Sequence, residues 1–548
     1  MPTARPHRPR RARRGARTVL VTLLAAVLAA LALPAPPVSA HAGLDASVPA
    51  PSSVLEEAPA AIVLDFDEPI EGGLSSIELF DQDERRVEIG DAVNNPADDS
   101  VVTADLPPLD DGIYAVVWRV ASADGHIVTG AFGFSIGTVG DAGDLLAQVR
   151  DGVQADRSVR VAADIARFVL YVGLVLLVGA GVWGTLLADH LTGWRRRLPA
   201  VGWVLAVLGA AAGFGLYGAT AVAGSLADAV SPDVWGRIDG TQTGRMALVR
   251  LGLLAALGVL LWKRRASHTM WWRQTAVAAA VGTLITLPAA GHPSSTSPRA
   301  LFVLLDALHL LGIVVWIGGL AVFALARRSW FDHPAVAHTA RTFSRTATVA
   351  VPVVVVTGAW QGVELAGGVE GLTDTGWGRT LLVKLAVVSV VVAIGGVSRW
   401  LLHQVGPASI HRTVMAEAVL ATVVLGLTAS LVALPPRPSN EGEVFNATLA
   451  QAGLIVDITV TPGRVGANEV HLVLTPPGGS IQPVVGVEAR MSLPAEEIPA
   501  SPVALDADGP DHFTGSITLP FAGDWTLELI VEVTPGNTAL LSTTVPIP

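Results

Sequence analysis

Residues 300–326 read ALFVLLDALHLLGIVVWIGGLAVFALA, a run whose only ionisable side chains are Asp306 and His309. A helix needs about 20 apolar residues to cross a bilayer core, so this run is long enough to span one. Asp306 and His309 are three apart and share one helical face. A helix entering at residue 300 puts them about 9 and about 14 Å deep, at ~1.5 Å per residue. Ionisable groups at that depth are costly and point to function.

Working outward, comparable apolar runs lie near 161–188, 200–226, 245–262, 274–291, 346–366, 379–401 and 412–434. Together they predict an eight-helix transmembrane domain over 161–434. Composition agrees: 51% of the 548 residues are hydrophobic and 15% charged, an excess that belongs to a membrane protein. Basic residues cluster in alternate loops: Arg195–Arg197, Lys263–Arg265 with Arg273, Arg327 and Arg328 with Arg341 and Arg345, and Arg399 with Arg412. The intervening loops carry Asp228, Asp233, Asp239, Glu370 and Asp374. The positive-inside rule makes the first set cytoplasmic. An even number of spans then leaves both chain ends outside the cytoplasmic membrane.

The N-terminus supports that topology independently. Six arginines between Arg8 and Arg17, an apolar run from Thr18 to Leu33 and Val38-Ser39-Ala40 form a secretory leader over residues 1–40. Cleavage after Ala40 makes His41 the first residue, with an α-amine and an imidazole able to chelate one ion. Tetragonal N,O donor sets of that kind suit Cu(II). Residues 41–137 read as a small β-sandwich or barrel: Ile62, Leu64 and Phe66 alternate with polar positions, as do Tyr114, Val116 and Trp118 with their neighbours, before Phe132, Phe134 and Ile136. Asp124 and His126 flank Gly125 in Ser122-Ala-Asp-Gly-His126, so an extended loop aims both side chains to one side. Glu68, just past the Ile62–Phe66 strand, is a further oxygen donor or supporting acceptor. A polar linker is expected over 138–160. The tail, 435–548, is again strand-like and predicts an immunoglobulin-like β-sandwich.

The chain has no cysteine, and no methionine lies between His41 and Ile136. Thiolate and thioether metal sites are therefore excluded from the outer domain. A net charge of −11 argues against nucleic acid as a partner, and no phosphate-binding motif points to a nucleotide. In the membrane portion, His292 stands at the outer mouth of the fourth span, above Asp306 and His309. Arg250 and Lys384 lie near the outer side and Glu417 nearer the inner side. One reading pairs Asp306 with Arg250 or Lys384 as structural glue; the other makes Asp306 and His309 metal ligands. His471 and His512, in the tail, read either as metal ligands or as surface residues, with the surface reading preferred, and the histidines at cytoplasmic helix ends read as interfacial.

Several of these motifs carry a resemblance. His41-Ala-Gly-Leu44, Ser47-Val-Pro-Ala50, Leu64-Asp-Phe-Asp-Glu-Pro69, Tyr114-Ala-Val-Val-Trp118 and Ser122-Ala-Asp-Gly-His126 resemble CopC, a periplasmic copper-binding family. The resemblance implies Cu(II) held by His41, Asp124 and His126, with Glu68 where some members place another carboxylate. Gly291-His-Pro293, Asp306-Ala-Leu-His-Leu-Leu311, Val315-Trp-Ile-Gly-Gly319 and Gly378-Arg-Thr-Leu-Leu-Val-Lys384 resemble CopD, the inner-membrane partner of CopC. That family has Asn-Arg where this chain has Ser398-Arg399. The whole layout is similar to YcnJ-like CopC–CopD fusions, and Pro462-Gly-Arg-Val-Gly466 with Gly523-Asp-Trp525 resembles a YtkA-like domain.

The resemblance implies a non-enzymatic copper uptake protein. Cu(II) is captured at the outer site and passed to His292, Asp306 and His309, where the copper oxidation state stays open. Partners are copper ions, membrane lipid and, as a candidate, an extracytoplasmic copper chaperone. The alternatives are a sequestering tolerance protein whose bundle is only an anchor, and a copper oxidative enzyme built on the N-terminal histidine.

Overall fold

The structure is a computed structural model. It describes residues 43–547 except 50, 52, 56, 67, 124, 138–142, 151–155, 187–196, 264–269, 292, 294–297, 326–333, 367–368, 374, 435–444, 452–453, 462, 476–483, 497, 510 and 536.

The first folded stretch contains β1 (Leu44–Val48), β2 (Val54–Leu55), β3 (Ala61–Phe66), β4 (Ser76–Asp81), β5 (Arg86–Val87), β6 (Val93–Asn95), β7 (Asp98–Asp105), β8 (Gly112–Ala121) and β9 (Ile127–Ile136). They form two sheets, ordered β1-β3-β7-β6 and β2-β9-β8-β4-β5. The alternation read from the sequence faces Ile62, Leu64 and Phe66 of one sheet toward Trp118, Phe132, Phe134 and Ile136 of the other, in one shared core. Phe66 meets Trp118 edge to face with ring centres 5.1 Å apart, a favourable geometry for two aromatic quadrupoles. β8, central in its sheet, is buried on both faces: besides the core side, the helix Gly143–Arg150 packs against β8 and β9. This is a two-sheet β-sandwich, one of the two forms the alternation predicts.

The apolar segments form helices Arg157–Leu174, running through a π turn at Val175–Gly179 into Ala180–Leu186, then Leu198–Ala221, Gln242–Lys263, Met270–Ile285, Arg299–Ala324, Pro334–Ala366, Gly376–Gln404 and His411–Leu431. Seven described helices are long and apolar enough to cross a membrane. The fourth expected span, 274–291, differs. Its helix is Met270–Ile285, about 24 Å long at 1.5 Å per residue, and the chain then turns through the 3-10 segment Pro288–Ala290. Proline has no N–H to continue a helical ladder. The sixth expected span also starts earlier than hydropathy suggests, at Pro334, so that Arg341 and Arg345 lie inside the helix and not in a loop.

Where these helices cross, glycine allows backbone to meet backbone. A Cβ on Gly179, in the π turn, would fall 2.9 Å from Gly318 Cα, and one on Gly318 only 2.4 Å from Gly179 Cα. Nearby, the Trp183 indole donates to the Val315 carbonyl at 2.8 Å. Small residues are the usual means of close helix approach in lipid. Gly318→Ala is therefore expected to cost about 1–3 kcal/mol or more, as overpacking against an unyielding neighbour does. Gly181→Ala, where an added Cβ meets nothing within 4 Å, serves as control. Thermal midpoints of the detergent-solubilised chain measure both, and equal midpoints would refute the crossing.

The last stretch holds β10 (Phe445–Gln451), β11 (Leu454–Thr461), β12 (Gly466–Thr475), β13 (Gly486–Leu493), β14 (Ile498–Gly509), β15 (His512–Leu519), β16 (Gly523–Thr534) and β17 (Asn537–Ile547). In place of the two sheets of an immunoglobulin-like sandwich, they make one eight-stranded sheet ordered β10-β11-β12-β15-β14-β13-β16-β17. β10 packs against β17, so the sheet curls toward a barrel. The cause lies in β14. Its first half, from Ile498 to Val503, pairs with β13, and its second half, from Ala504, pairs with β15. A strand that changes partner midway turns a corner between sheets. Register shifts between Met491 and Leu493, Ala507 and Gly509, and Glu532 and Thr534 add the local bending that bulges supply. Val456, Ile458, Leu472, Met491, Leu527, Leu529 and Val545 fill the interior.

Candidate functional site

Three expected ligands, His41, Asp124 and His292, lie outside the described residues. Among the described residues, no three His, Asp or Glu side chains converge as a metal shell. What the structure describes is the framework around each expected site.

In the N-terminal domain, the segment after Ala121 joins β8 to β9. The Ser122 amide donates to the His126 carbonyl at 2.9 Å and the Gly125 amide to the Ser122 carbonyl at 2.8 Å. Gly125 takes φ +85°, a conformation open to glycine at little cost, so the chain between β8 and β9 turns tightly at Gly125 and is not the extended loop expected. Glu68 belongs to the same end of the domain. Its carboxylate accepts from the Ser122 hydroxyl at 3.1 Å, while the Ala123 amide donates to the Pro69 carbonyl at 3.1 Å. β1 pairs antiparallel with β3 and sets Leu44 opposite Phe66. The chain therefore enters the fold beside the end of β3, two residues before Glu68.

In the helical unit, Asp306 and His309 lie on Arg299–Ala324 and face Pro334–Ala366, which runs antiparallel to it. Phe302 stacks on Trp360 with centres 5.3 Å apart, Gln361 donates its amide to Asp306 at 3.0 Å, and His309 Nδ1 lies 2.8 Å from Thr357 Oγ1. A Cβ at Gly358 would fall 2.9 Å from His309 Cε1, so glycine there leaves room for the ring. The Thr357 hydroxyl is itself anchored to the Val353 carbonyl at 2.7 Å, so the imidazole meets a hydroxyl that its neighbouring helix holds in place. Metal-binding histidines are commonly oriented by such a partner on the other ring nitrogen.

The cations divide. Lys384 and Asp306 feel each other's charge. Arg250 does not pair with Asp306: its Nε donates to Thr286 Oγ1 and its Nη2 to the Thr286 carbonyl, both at 2.9 Å. Arg250 therefore fastens Gln242–Lys263 to the end of Met270–Ile285, where the fourth expected span stops. Glu417, buried at 4% exposure, is held by the Ser398 hydroxyl, which also contacts Thr413 at 2.6 Å. Ser398 stands where the CopD pattern has Asn, so this chain keeps a hydrogen-bonding group at that place. The neighbouring Arg399 donates to Thr348 Oγ1 at 2.7 Å.

Thr357 and Gln361 were missed in the sequence, because uncharged polar residues are common in helices that cross membranes, and Ser398 was noted only as a departure from the family pattern, not as the partner of Glu417.

Known protein families match the chain along most of its length. The CopC domain family matches residues 44–137, the copper resistance protein D-like N-terminal domain family residues 158–298, and the copper resistance protein D family residues 337–431. The copper transport protein CutJ of Bacillus subtilis (strain 168) is 27% identical over 459 residues, 80% of this chain and 83% of its own length. Copper resistance protein D of Pseudomonas syringae pv. tomato is 27% identical over 300 residues, half of this chain and 96% of its own. Among solved structures, CopC from Methylosinus trichosporium OB3b is 31% identical over 18% of this chain and 93% of that one, with a TM-score of 0.17.

Proposed function

The chain belongs to the CopC–CopD fusion family of copper-handling membrane proteins, and from that premise we propose that it captures Cu(II) outside the cytoplasmic membrane and passes it inward through the helical unit. Capture uses the α-amine and ring of His41 after leader removal, with Asp124 and His126; Glu68 stands behind them and orders the turn through Ser122. The inward path uses His292, Asp306 and His309. Met270–Ile285 is taken as the fourth of eight crossings, so that both soluble domains are extracytoplasmic and the basic loops cytoplasmic. The C-terminal domain is read as YtkA-like.

The single observation that carries this reading is the His309 environment. An anchor has no need of a buried imidazole held at Nδ1 by Thr357, one helical turn from an Asp306 that Gln361 holds in place. Nitrogen and oxygen donors suit Cu(II), and imidazole also accepts Cu(I), so this centre is compatible with either state. Movement follows the copper gradient, with trapping inside.

Copper accumulation in cells with and without the gene, grown at limiting copper, tests the reading. Lower cell copper in the deletion strain, restored by the wild-type gene, is expected. Equal copper in both strains would end the import reading.

A further inference from the structure

The C-terminal barrel brings together two histidines that sequence spacing keeps 41 residues apart. β12 and β15 are antiparallel neighbours with His471 opposite Thr514 and Val473 opposite His512. His471 and His512 are therefore diagonal neighbours on one face of the sheet, within reach of long side chains. Their rings approach with centres 4.4 Å apart and planes at 80°, and the two Nε2 atoms point at each other within hydrogen-bonding contact. His471 is not the surface residue its sequence suggests: it is only 7% exposed, while His512 is half-buried.

Two imidazoles directing the same nitrogen at one point can share a proton or a metal ion. Metal–imidazole bonds of about 2.0–2.1 Å put two neighbouring ligand nitrogens about 3 Å apart, so a small opening of the rings admits an ion between them. The rungs on either side place oxygen-bearing residues on the same face. Thr459 and Thr514 lie across from His471, and Asp457 lies across from Val473. A donor set of imidazole and oxygen, in a chain without cysteine, selects copper(II) or a similar borderline divalent ion.

We propose that His471 and His512 form a further copper site, in which their Nε2 atoms bind Cu(II) and water completes the shell. It lies in a different domain from the capture and transfer residues and does not depend on their reading.

The test uses the full chain in detergent, with one residue added ahead of His41 and with His126→Ala and His309→Ala, so that each of the two other copper candidates loses its defining donors. Cu(II) ions alone are the probe. Bound copper is counted after dialysis against buffered Cu(II), and paramagnetic resonance reports the ligands. This parent chain is expected to keep one Cu(II) per chain, with hyperfine structure from two imidazole nitrogens. Adding His512→Gln is expected to lower that affinity at least 100-fold; this half-buried position tolerates the change better than His471. A parent that binds no Cu(II), a spectrum without nitrogen structure, or binding that survives His512→Gln overturns the proposal. The spectrum of the parent still tests the site if His512→Gln fails to fold. Copper bound by the wild type but not by the parent would leave the capture reading standing and remove this one.

Discussion

One extra residue placed ahead of His41 is expected to weaken Cu(II) binding at the outer site by more than about 100-fold, beyond the effect typical of losing a supporting group around a metal. That loss is about 2.7 kcal/mol. The extension leaves every internal side chain in place and removes only the free α-amine from the chelate. His126→Ala is expected to cost at least as much, because it deletes an imidazole from the β8–β9 turn while the Ser122 and Gly125 hydrogen bonds, made by the backbone, keep the turn closed. Ser122→Ala should do less, within about 10–100-fold, since it only releases Glu68. Competition with a chelator of known affinity, carried out on the full chain, measures all three. If the extended chain binds as tightly as the native one, the N-terminal chelate is wrong, and the turn with Glu68 would have to hold copper alone.

Replacing His309 by Ala is expected to abolish copper uptake while the protein still reaches the membrane. The more informative change is Thr357→Val. It is nearly isosteric, leaves the imidazole in place and removes the hydroxyl that contacts Nδ1. With that hydroxyl gone, the ring loses the side-chain contact that orients it. Uptake is expected to fall about 10–100-fold, the usual cost of removing a group that orients a metal-binding histidine. Thr357→Ser, which restores the hydroxyl, is expected to recover most of it. Uptake of radioactive copper, normalised to protein in the membrane, is the measurement. Unchanged uptake in His309→Ala would reduce the helical unit to an anchor and favour sequestration outside. Equal loss in the Val and Ser variants would mean that packing at 357, not the hydroxyl, is what matters.

The parts of this protein legible in its sequence are those governed by local periodicity. Apolar runs longer than a bilayer core announced the helical unit. Strict alternation in Ile62–Phe66 and Leu454–Val460 announced strands with one buried face, because side chains on a strand alternate sides whatever the strand pairs with. Asp306 and His309 could be assigned to one helix face for the same reason.

Pairing between distant segments was not legible. Periodicity says that β14 is a strand but not that it leaves β13 for β15 at Ala504, and that switch turns the tail from a sandwich into a barrel. It says that Arg250 is buried and charged but not that Thr286 satisfies it, which frees Asp306 for Gln361. Nor does it show that His471 and His512 meet, since their encounter follows from a register between β12 and β15 that no local pattern encodes. Sequence by itself determined which segments are buried in lipid, which are strands, and where the ionisable exceptions fall. Only the tertiary structure decided which exceptions face one another, because hydrogen bonds and metal shells depend on distances of about 3 Å between residues tens of positions apart.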